Sequence, residues 1–250
     1  MKTPPPVVVL VEDDPLIRRF VEIALEELSL DLVTCTTAEE AQQLIPLSSC
    51  ALLITDMMLP GASGLQLIEW LRKTSFSACP VVVFSAGLDY SITEYLEQLS
   101  VRRVLRKPVS VKELVTCIET ALNANVAPSV MHAARTSNVG DMHVEEYAIN
   151  TYFCGDRELF IEYKAACAVQ MSTDLTLGAQ HLSSSDSAGL HRLAHNLKSV
   201  FRLLGLETAS NTARNLEEAC KATDWEKVQA HWHLIRMEMQ SLAAWEKPGA

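Results

Sequence analysis

The chain has 250 residues, of which 48% are hydrophobic, so it is long and apolar enough to bury one or two cores. This composition excludes a disordered polypeptide. The formal net charge of −10 at pH 7 argues against a nucleic-acid-binding protein, which would usually carry a basic face.

The cysteines and the apolar runs indicate the compartment. Seven cysteines are scattered along the chain without a CxxC pair, which favours buried thiols in a reducing cytosol over disulfides or a zinc site. The first apolar run, VVVLV, is too short for a signal peptide. No stretch approaches the roughly eighteen apolar residues of a membrane span. We therefore expect a soluble cytoplasmic protein.

Strand-like and helix-like segments alternate through the first half of the chain. Short apolar runs predict five strands, over residues 7–11, 30–34, 51–55, 80–84 and 103–106. The segment after each strand has the pattern of a helix, over residues 16–28, 38–45, 65–73, 91–98 and 111–122. This alternation predicts a doubly wound, five-stranded parallel sheet with helices on both faces.

The second half is predicted to be all-α. Residues 125–141 have no sustained period and are interpreted as a linker. A short helix over residues 142–152 is followed by four long ones, over residues 158–182, 190–204, 208–220 and 224–245. Short connections imply antiparallel neighbours and hence a four-helix bundle. The predicted domains are therefore residues 1–124 and 142–250.

Polar side chains follow four elements of the predicted sheet at the point where each strand ends. Asp56 follows the third strand, just before a Pro60-Gly61 turn. The others follow the first, fourth and fifth strands: Glu12-Asp13-Asp14, Ser85 and Lys107-Pro108. Ligands of open α/β sheets bind at this edge, so we expect these groups to meet around Asp56.

Residues 5–124 resemble a response-regulator receiver domain, a family with a flavodoxin-like fold. The segment DMMLPGASG, which starts at Asp56, fits the family pattern D-x-x-x-P-x-x-x-G, and Ser85 and Lys107 follow at the family's spacing. The resemblance implies that Asp56 is the phosphoacceptor, which attacks a phosphoryl group and forms an acyl phosphate.

Phosphoryl transfer mainly requires positioning and the neutralisation of negative charge. Mg²⁺ (or Mn²⁺) prefers oxygen ligands. Three carboxylates and one backbone carbonyl are the expected ligands: Glu12, Asp13, Asp56 and Met58. Lys107 is expected to pair with one phosphoryl oxygen and Ser85 to hydrogen-bond another. The third acid of the first cluster, Asp14, is expected to point away and cap the helix that starts at Pro15.

Two positions depart from the receiver pattern. Val104 and Val109 stand where receivers often carry aromatic residues. The usual coupling between the Ser85 hydroxyl and a swinging aromatic side chain is therefore not expected here.

The helix predicted over residues 190–204 carries a candidate nucleophile. At about 100° per residue, its leucines, Val200 and Phe201 gather on one side. The opposite side carries polar residues: His191, His195, Lys198, Ser199 and Arg202. We therefore expect His195 to face solvent, where it could enter the pocket of another protein. Lys198, one turn on, would lower the cost of a negatively charged phosphohistidine.

This helix resembles the histidine-phosphotransfer family, whose pattern is H-x-L-K-G followed by Gly six residues on. Four residues match: His195, Leu197, Lys198 and Gly205. The segment FCGDRELFIEY upstream and Leu216-Glu217 downstream also fit the family. Ser199 stands where Gly is usual, and it is small enough to leave the ring accessible. The resemblance implies that His195 carries the phosphoryl group.

The other histidines of the second half are interpreted as solvated surface residues: His181, His191, His231 and His233. A metal site formed by His191 and His195 is disfavoured. Arg-Leu-Ala separates them, so the glutamate of an H-E-x-x-H motif is missing.

A receiver followed by a phosphotransfer bundle resembles a phosphorelay intermediate. We predict that Asp56 accepts a phosphoryl group from a separate histidine kinase or hybrid kinase. His195 would exchange it with the chain's own receiver or with a downstream response-regulator receiver, without a nucleic-acid or membrane partner. One alternative is a phosphorylation-switched adaptor or phosphate sink. Another is a kinase or phosphodiesterase, which the missing nucleotide and metal motifs in residues 125–250 disfavour.

Overall fold

The computed structural model describes residues 4–47, 49–87, 90–123 and 144–246. The chain divides into two compact units, Met1–Ser137 and Asn138–Ala250. The predicted linker, residues 125–141, lies outside the described residues, so its bounds remain a prediction.

The first unit contains one five-stranded sheet with the order β2-β1-β3-β4-β5. All of its strands are parallel: β1 (Val7–Val11), β2 (Asp31–Cys35), β3 (Cys50–Thr55), β4 (Val81–Ser85) and β5 (Arg103–Arg106). Val9 of β1 lies opposite Leu53 of β3, which in turn lies opposite Val81 of β4. The predicted doubly wound parallel sheet is confirmed.

Helices follow the strands as the alternation predicts: α1 (Pro15–Leu25), α2 (Ala38–Leu44), α3 (Gly64–Arg72), α4 (Tyr90–Gln98) and α5 (Val111–Leu122). Alternate strand residues pack with α2, α3 and α4 in one core cluster. The helices α1 and α5 contact each other, and α5 also contacts β3. The strands are therefore buried between helical layers, which leaves their carboxyl ends as the edge where side chains can converge.

Side-chain caps fix where these helices begin. Ser63 and Gln66 form a capping box at the start of α3, and Ser110 and Glu113 form another at the start of α5. Thr37 accepts a hydrogen bond from the backbone N–H of Glu40 at the start of α2. The loops that lead into α2, α3 and α5 are thereby anchored to the helices that follow them.

The second unit consists of helices: α6 (Val144–Tyr152), α7 (Arg157–Ser183), α8 (Ser187–Leu203), α9 (Glu207–Lys221) and α10 (Trp225–Ala243). The four long helices confirm the predicted bundle. A Cβ atom at Gly178 of α7 would lie 1.9 Å from the Trp232 ring of α10, so glycine permits the close approach of these two helices.

None of the described helices combines the length and the apolar character needed to cross a lipid bilayer.

Candidate functional sites

The first site lies at the carboxyl edge of the sheet, where three strand ends bring Glu12, Asp56 and Lys107 together. The Lys107 Nζ donates to Glu12 Oε2 at 2.5 Å and to Asp56 Oδ2 at 2.7 Å. All three side chains are buried, and Asp56 is only 1% exposed. The sequence analysis predicted that these groups meet around Asp56, and the geometry confirms this for Glu12 and Lys107.

The loop after β3 holds the Asp56 carboxylate from the other side. The backbone N–H groups of Met57 and Met58 donate to Asp56 Oδ1 at 2.5 and 3.2 Å. A Cβ atom at Gly64 would lie 1.9 Å from the backbone oxygen of Asp56, so only glycine fits there. The carboxylate is therefore fixed between backbone donors and a lysine, which is suitable geometry for a positioned nucleophile.

Burial and mutual repulsion perturb the acids of this pocket. Burial raises the pKa of Glu12 to about 8, and Asp56 adds to this shift while Lys107 opposes it. Burial, followed by the charge of Asp56, also raises the pKa of Asp13. Burial by itself lowers the pKa of Lys107, but the carboxylates of Glu12 and Asp56 raise it above its ordinary value. The lysine thus stays protonated beside these two acids.

The acidic residues offer a set of oxygen donors for a hard cation. One ligand atom from each of Glu12, Asp13 and Asp56 can be chosen so that all lie within 4.8 Å of one another. Asp13 Oδ1 is buried and has no hydrogen-bond partner among the described residues. Such an orphaned oxygen beside two further carboxylates suits Mg²⁺ or Mn²⁺. The part of the Met58 carbonyl in such a site remains a prediction.

Asp14 and Ser85 are the other polar residues predicted at this edge of the sheet. Asp14 Oδ1 accepts from the backbone N–H groups of Leu16 and Ile17 at 2.7 and 3.0 Å, so it caps α1 as predicted. The Ser85 hydroxyl is buried and makes long contacts with the backbone of Gly87, at 3.4 and 3.5 Å. Its bond to a phosphoryl oxygen remains a prediction.

An aromatic neighbour of Lys107 was missed by the sequence analysis. The Lys107 Nζ lies 5.0 Å from the centroid of the Phe84 ring, within the range of a cation–π contact. Phe84 immediately precedes Ser85 in β4, where it looked like an ordinary core residue of an apolar run. Only the register of β4 beside β5 brings the ring next to the lysine.

The second site lies between α8 and α9 and corrects one prediction. His195 is 8% exposed, so it does not face solvent as expected. Its Nδ1 lies 3.0 Å from Glu217 Oε1, and its Nε2 is buried without a hydrogen-bond partner among the described residues. The prediction failed because a single-helix projection shows which side lacks leucines, whereas α9 packs against that same side.

Ser199 and Lys198 show the same effect of α9. Ser199 is buried rather than on an open face. The backbone oxygen of Lys198 accepts a hydrogen bond from the Ser210 hydroxyl of α9 at 2.8 Å. The polar side of α8 is therefore largely an interface between two helices of the bundle.

Glu217 is the centre of this second site, and no role was assigned to it from the sequence. Its Oε2 accepts from Lys198 Nζ at 2.7 Å, and its Oε1 faces His195, with His191 Nε2 at 3.6 Å. Burial raises the pKa of Glu217, but hydrogen bonds from His195 and Lys198 outweigh this and hold it well below its ordinary range. Because an ionised carboxylate can only accept a hydrogen bond, the proton between the two groups belongs to Nδ1, and in the neutral imidazole Nε2 is then the unprotonated nitrogen.

The sequence did contain a signal for Glu217. The buried positions of α9 are small or apolar around it: Ala209, Ser210, Ala213, Leu216, Ala219 and Cys220. A glutamate on such a face requires a partner, because this residue type is almost never buried unpaired.

The interpretation of the other histidines is partly corrected. His191 is half-buried beside Glu217, and burial lowers its pKa. His181 is half-buried, and its Nδ1 lies 2.7 Å from Asp186 Oδ2. His233 is exposed, as expected, whereas His231 is half-buried.

Two family models match the chain. The response regulator receiver domain matches residues 8–119, and the Hpt domain matches residues 158–245. The first match includes Glu12, Asp56 and Lys107, and the second includes His195 and Glu217.

Curated relatives resemble parts or most of the chain. Response regulator protein PilR of Pseudomonas aeruginosa is 32% identical over 45% of this chain and 25% of its own length. Sensor histidine kinase TmoS of Ectopseudomonas mendocina is 31% identical over 55% of this chain and 14% of its own length. Sensor protein EvgS of Escherichia coli is 24% identical over 84% of this chain and 17% of its own length. The chain thus spans at most a quarter of the length of these relatives.

Among solved structures, the response regulator receiver protein of Pseudomonas putida is similar, with 28% identity and a TM-score of 0.45. The similarity covers 47% of this chain and 98% of that one.

Proposed function

Because the chain is a fusion of a response-regulator receiver domain and an Hpt domain, of the two-component phosphorelay type, we propose that it carries a phosphoryl group on two side chains, Asp56 and His195. The observation that carries this proposal is that both candidate nucleophiles are held by charged partners. Lys107 binds the Asp56 carboxylate, and Glu217 binds the His195 ring through Nδ1.

At the first site, an oxygen of Asp56 attacks the phosphorus of a phosphohistidine on a histidine kinase or hybrid kinase. A P–O bond forms, the P–N bond breaks, and the partner's imidazole leaves. Lys107 then pairs with a phosphoryl oxygen in place of the Asp56 oxygen that it now binds.

A divalent cation fits this first site. Glu12, Asp13, Asp56 and the Met58 carbonyl would hold Mg²⁺ or Mn²⁺, which when bound supplies positive charge for the phosphoryl oxygens. This proposal is supported by the orphaned Asp13 Oδ1 and by the raised pKa values of Glu12 and Asp13. A cation would stabilise the ionised form of both acids.

At the second site, Nε2 of His195 attacks the phosphorus of an aspartyl phosphate, and the P–O bond to that aspartate breaks. Glu217 keeps the proton on Nδ1 and stabilises the positive charge that develops on the ring. Lys198 lies at the same carboxylate and can turn towards the phosphoryl oxygens. Because Nε2 is covered, the side chains around it must shift when a receiver domain docks.

The function of the first site is tested with a small phosphodonor. Acetyl phosphate and Mg²⁺ should label the wild-type chain with a base-labile acyl phosphate, and Asp56→Asn should abolish this label. Asp31→Asn, an exposed aspartate of β2, serves as the matched control and should be labelled like the wild type. An acyl phosphate on another residue of the first unit in Asp56→Asn would refute the assignment.

One observation favours a second candidate function. The covered Nε2 of His195 also suits an adaptor or phosphate sink, in which Asp56 is phosphorylated while the bundle binds partners without obligatory transfer at His195. In that case His195→Gln would leave partner binding and signalling output intact. The phosphorelay function requires that the same variant loses output.

A further inference from the structure

Two cysteines meet at the edge of the sheet opposite to the Asp56 pocket. Cys50 is the first residue of β3, and Cys79 lies two residues before β4 begins at Val81. Because these strands are parallel neighbours, both cysteines lie at the amino edge. Their Sγ atoms are 3.5 Å apart.

A bulge in β3 explains why the two thiols face each other. Val8 of β1 lies opposite Leu52, but Val7 lies opposite Cys50, so Ala51 is an extra residue in the strand. In a regular strand Cys50 would lie on the face opposite to Leu53. With the bulge, Cys50 packs against the core cluster that contains Leu53 and Cys79.

The neighbourhood gives the two thiols different reactivity. Cys79 is buried, whereas Cys50 is partly exposed. The Cys79 S–H donates to Cys50, which lowers the pKa of the Cys50 thiol and raises that of Cys79. Arg72 donates to the backbone oxygen of Cys79 at 2.9 Å and also binds the backbone of Leu99. The guanidinium thus fixes the segment that carries Cys79 and places a positive charge beside the pair.

We propose that Cys50 and Cys79 form a reversible oxidation site, which closes to a disulfide when the protein meets a peroxide. The Cys50 thiolate attacks a peroxide oxygen, the O–O bond breaks, and Cys50 becomes a sulfenic acid as an alcohol or water leaves. The Cys79 sulfur then attacks the Cys50 sulfur, the S–O bond breaks, and water leaves with the Cys79 proton. Two thiols lose two electrons, and the peroxide is reduced.

The geometry requires little movement for this step. A disulfide bond is about 2.05 Å long, so the two sulfur atoms must approach by about 1.5 Å. A small thiol such as glutathione reopens the bond by exchange. This site lies at the other end of β3 from Asp56 and is independent of the proposed phosphotransfer function.

The experiment uses the full chain with Cys154→Ser, which removes an exposed thiol that would otherwise link two chains. The folded protein is treated with a slight excess of hydrogen peroxide and digested with a glutamate-specific protease under non-reducing conditions. Glu39 and Glu40 lie between Cys35 and Cys50, so this digest separates those two cysteines. Mass spectrometry should find the Cys50 peptide linked to the Cys79 peptide, and dithiothreitol should release both.

Further variants define the order of events. In Cys79→Ser, Cys50 should stop at a sulfenic acid that dimedone traps, and in Cys50→Ser, Cys79 should remain a thiol. Cys117→Ser, a buried thiol of α5, is the matched control and should retain the linked peptides. The proposal is overturned if peroxide converts Cys50 to a sulfinic acid while Cys79 stays a thiol, links Cys50 to another cysteine, or leaves both thiols unchanged. The mapping of the parent chain decides this even where a variant fails to fold.

Discussion

Lys107 is the cation that binds two carboxylates of the Asp56 pocket directly. It binds Glu12 and Asp56 at once, and all three side chains are buried. Removing one partner of a buried ion pair leaves an uncompensated charge, which costs far more than the pair itself contributes. The lysine is therefore expected to matter for stability as well as for phosphoryl transfer.

Lys107→Ala should lower the free energy of unfolding by about 3–5 kcal/mol, and saturating Mg²⁺ should restore part of this loss because a cation can neutralise the same acids. Urea denaturation with and without Mg²⁺ measures both effects. Lys112→Ala, an exposed lysine at the start of α5, is the control and should change little. Equal loss with and without Mg²⁺ would argue against a cation site at these acids.

At the second site, Glu217 is the residue whose removal tests the account. Glu217→Gln keeps the shape but removes the charge that faces His195 and Lys198. Phosphoryl transfer to His195 should slow by about 10- to 100-fold, since a hydrogen bond to a charged group is worth about 1.5–3 kcal/mol. The rate of labelling by a phosphorylated receiver measures this. Glu218→Gln, its exposed neighbour, should transfer at the wild-type rate, and an equal effect of both variants would remove Glu217 from the site.

Among the elements, the start of α3 couples the fold to the Asp56 pocket. Gly64→Ala would place a Cβ atom 1.9 Å from the Asp56 backbone oxygen. Overpacking of this kind typically costs about 1–3 kcal/mol, and it would also displace the loop that holds the carboxylate. The variant should therefore lose both stability and labelling by acetyl phosphate.

Gly87→Ala is the matched control for Gly64→Ala, because among the described residues no heavy atom outside its immediate neighbours lies within 4 Å of a Cβ built there. Urea denaturation should show that Gly64→Ala is clearly less stable than Gly87→Ala. Similar stability of the two would show that the start of α3 relaxes without cost.

The elements also show which features a sequence can predict. Strands β1, β3 and β4 are continuous apolar runs, so their existence and the edge where Asp56 lies follow from the pattern alone. The end of α1 does not follow from the pattern. The apolar period continues to Leu28, whereas the helix ends at Leu25. Helix ends depend on local capping and packing that the period does not encode.

The prediction that His195 faces solvent was wrong for a different reason. The period of α8 correctly identified its buried leucines, but it could not show that α9 covers the opposite side. A projection of α8 contains no residue of α9, so it also gave no indication of the role of Glu217. Contacts between elements that are distant in sequence decide such positions, and a helical projection contains none of them.

At the scale of the whole molecule, the two sites lie in the two compact units of one chain, so a phosphoryl group on Asp56 could pass to His195 of the same chain. The predicted linker of residues 125–141 lies outside the described residues. A flexible coil of that length would span roughly 20–25 Å and give an effective concentration on the order of millimolar. Transfer within one chain should therefore be first-order, with a rate constant that does not change with protein concentration.

Rapid-quench measurements at several protein concentrations distinguish the two modes. A rate that rises in proportion to concentration would mean that exchange takes place between chains.

The exchange itself is tested most directly with two complementary variants. His195→Gln chain is labelled on Asp56 with acetyl phosphate and Mg²⁺, freed of donor, and mixed with Asp56→Asn chain. With the tether lost, the account predicts that acid-labile phosphate appears on His195 of the second chain more slowly than in the wild type, and at a comparable rate only when the protein concentration is on the order of millimolar. A double variant, Asp56→Asn with His195→Gln, stays unlabelled. A label that remains on Asp56 until it hydrolyses, or that moves to a histidine other than His195, would contradict it.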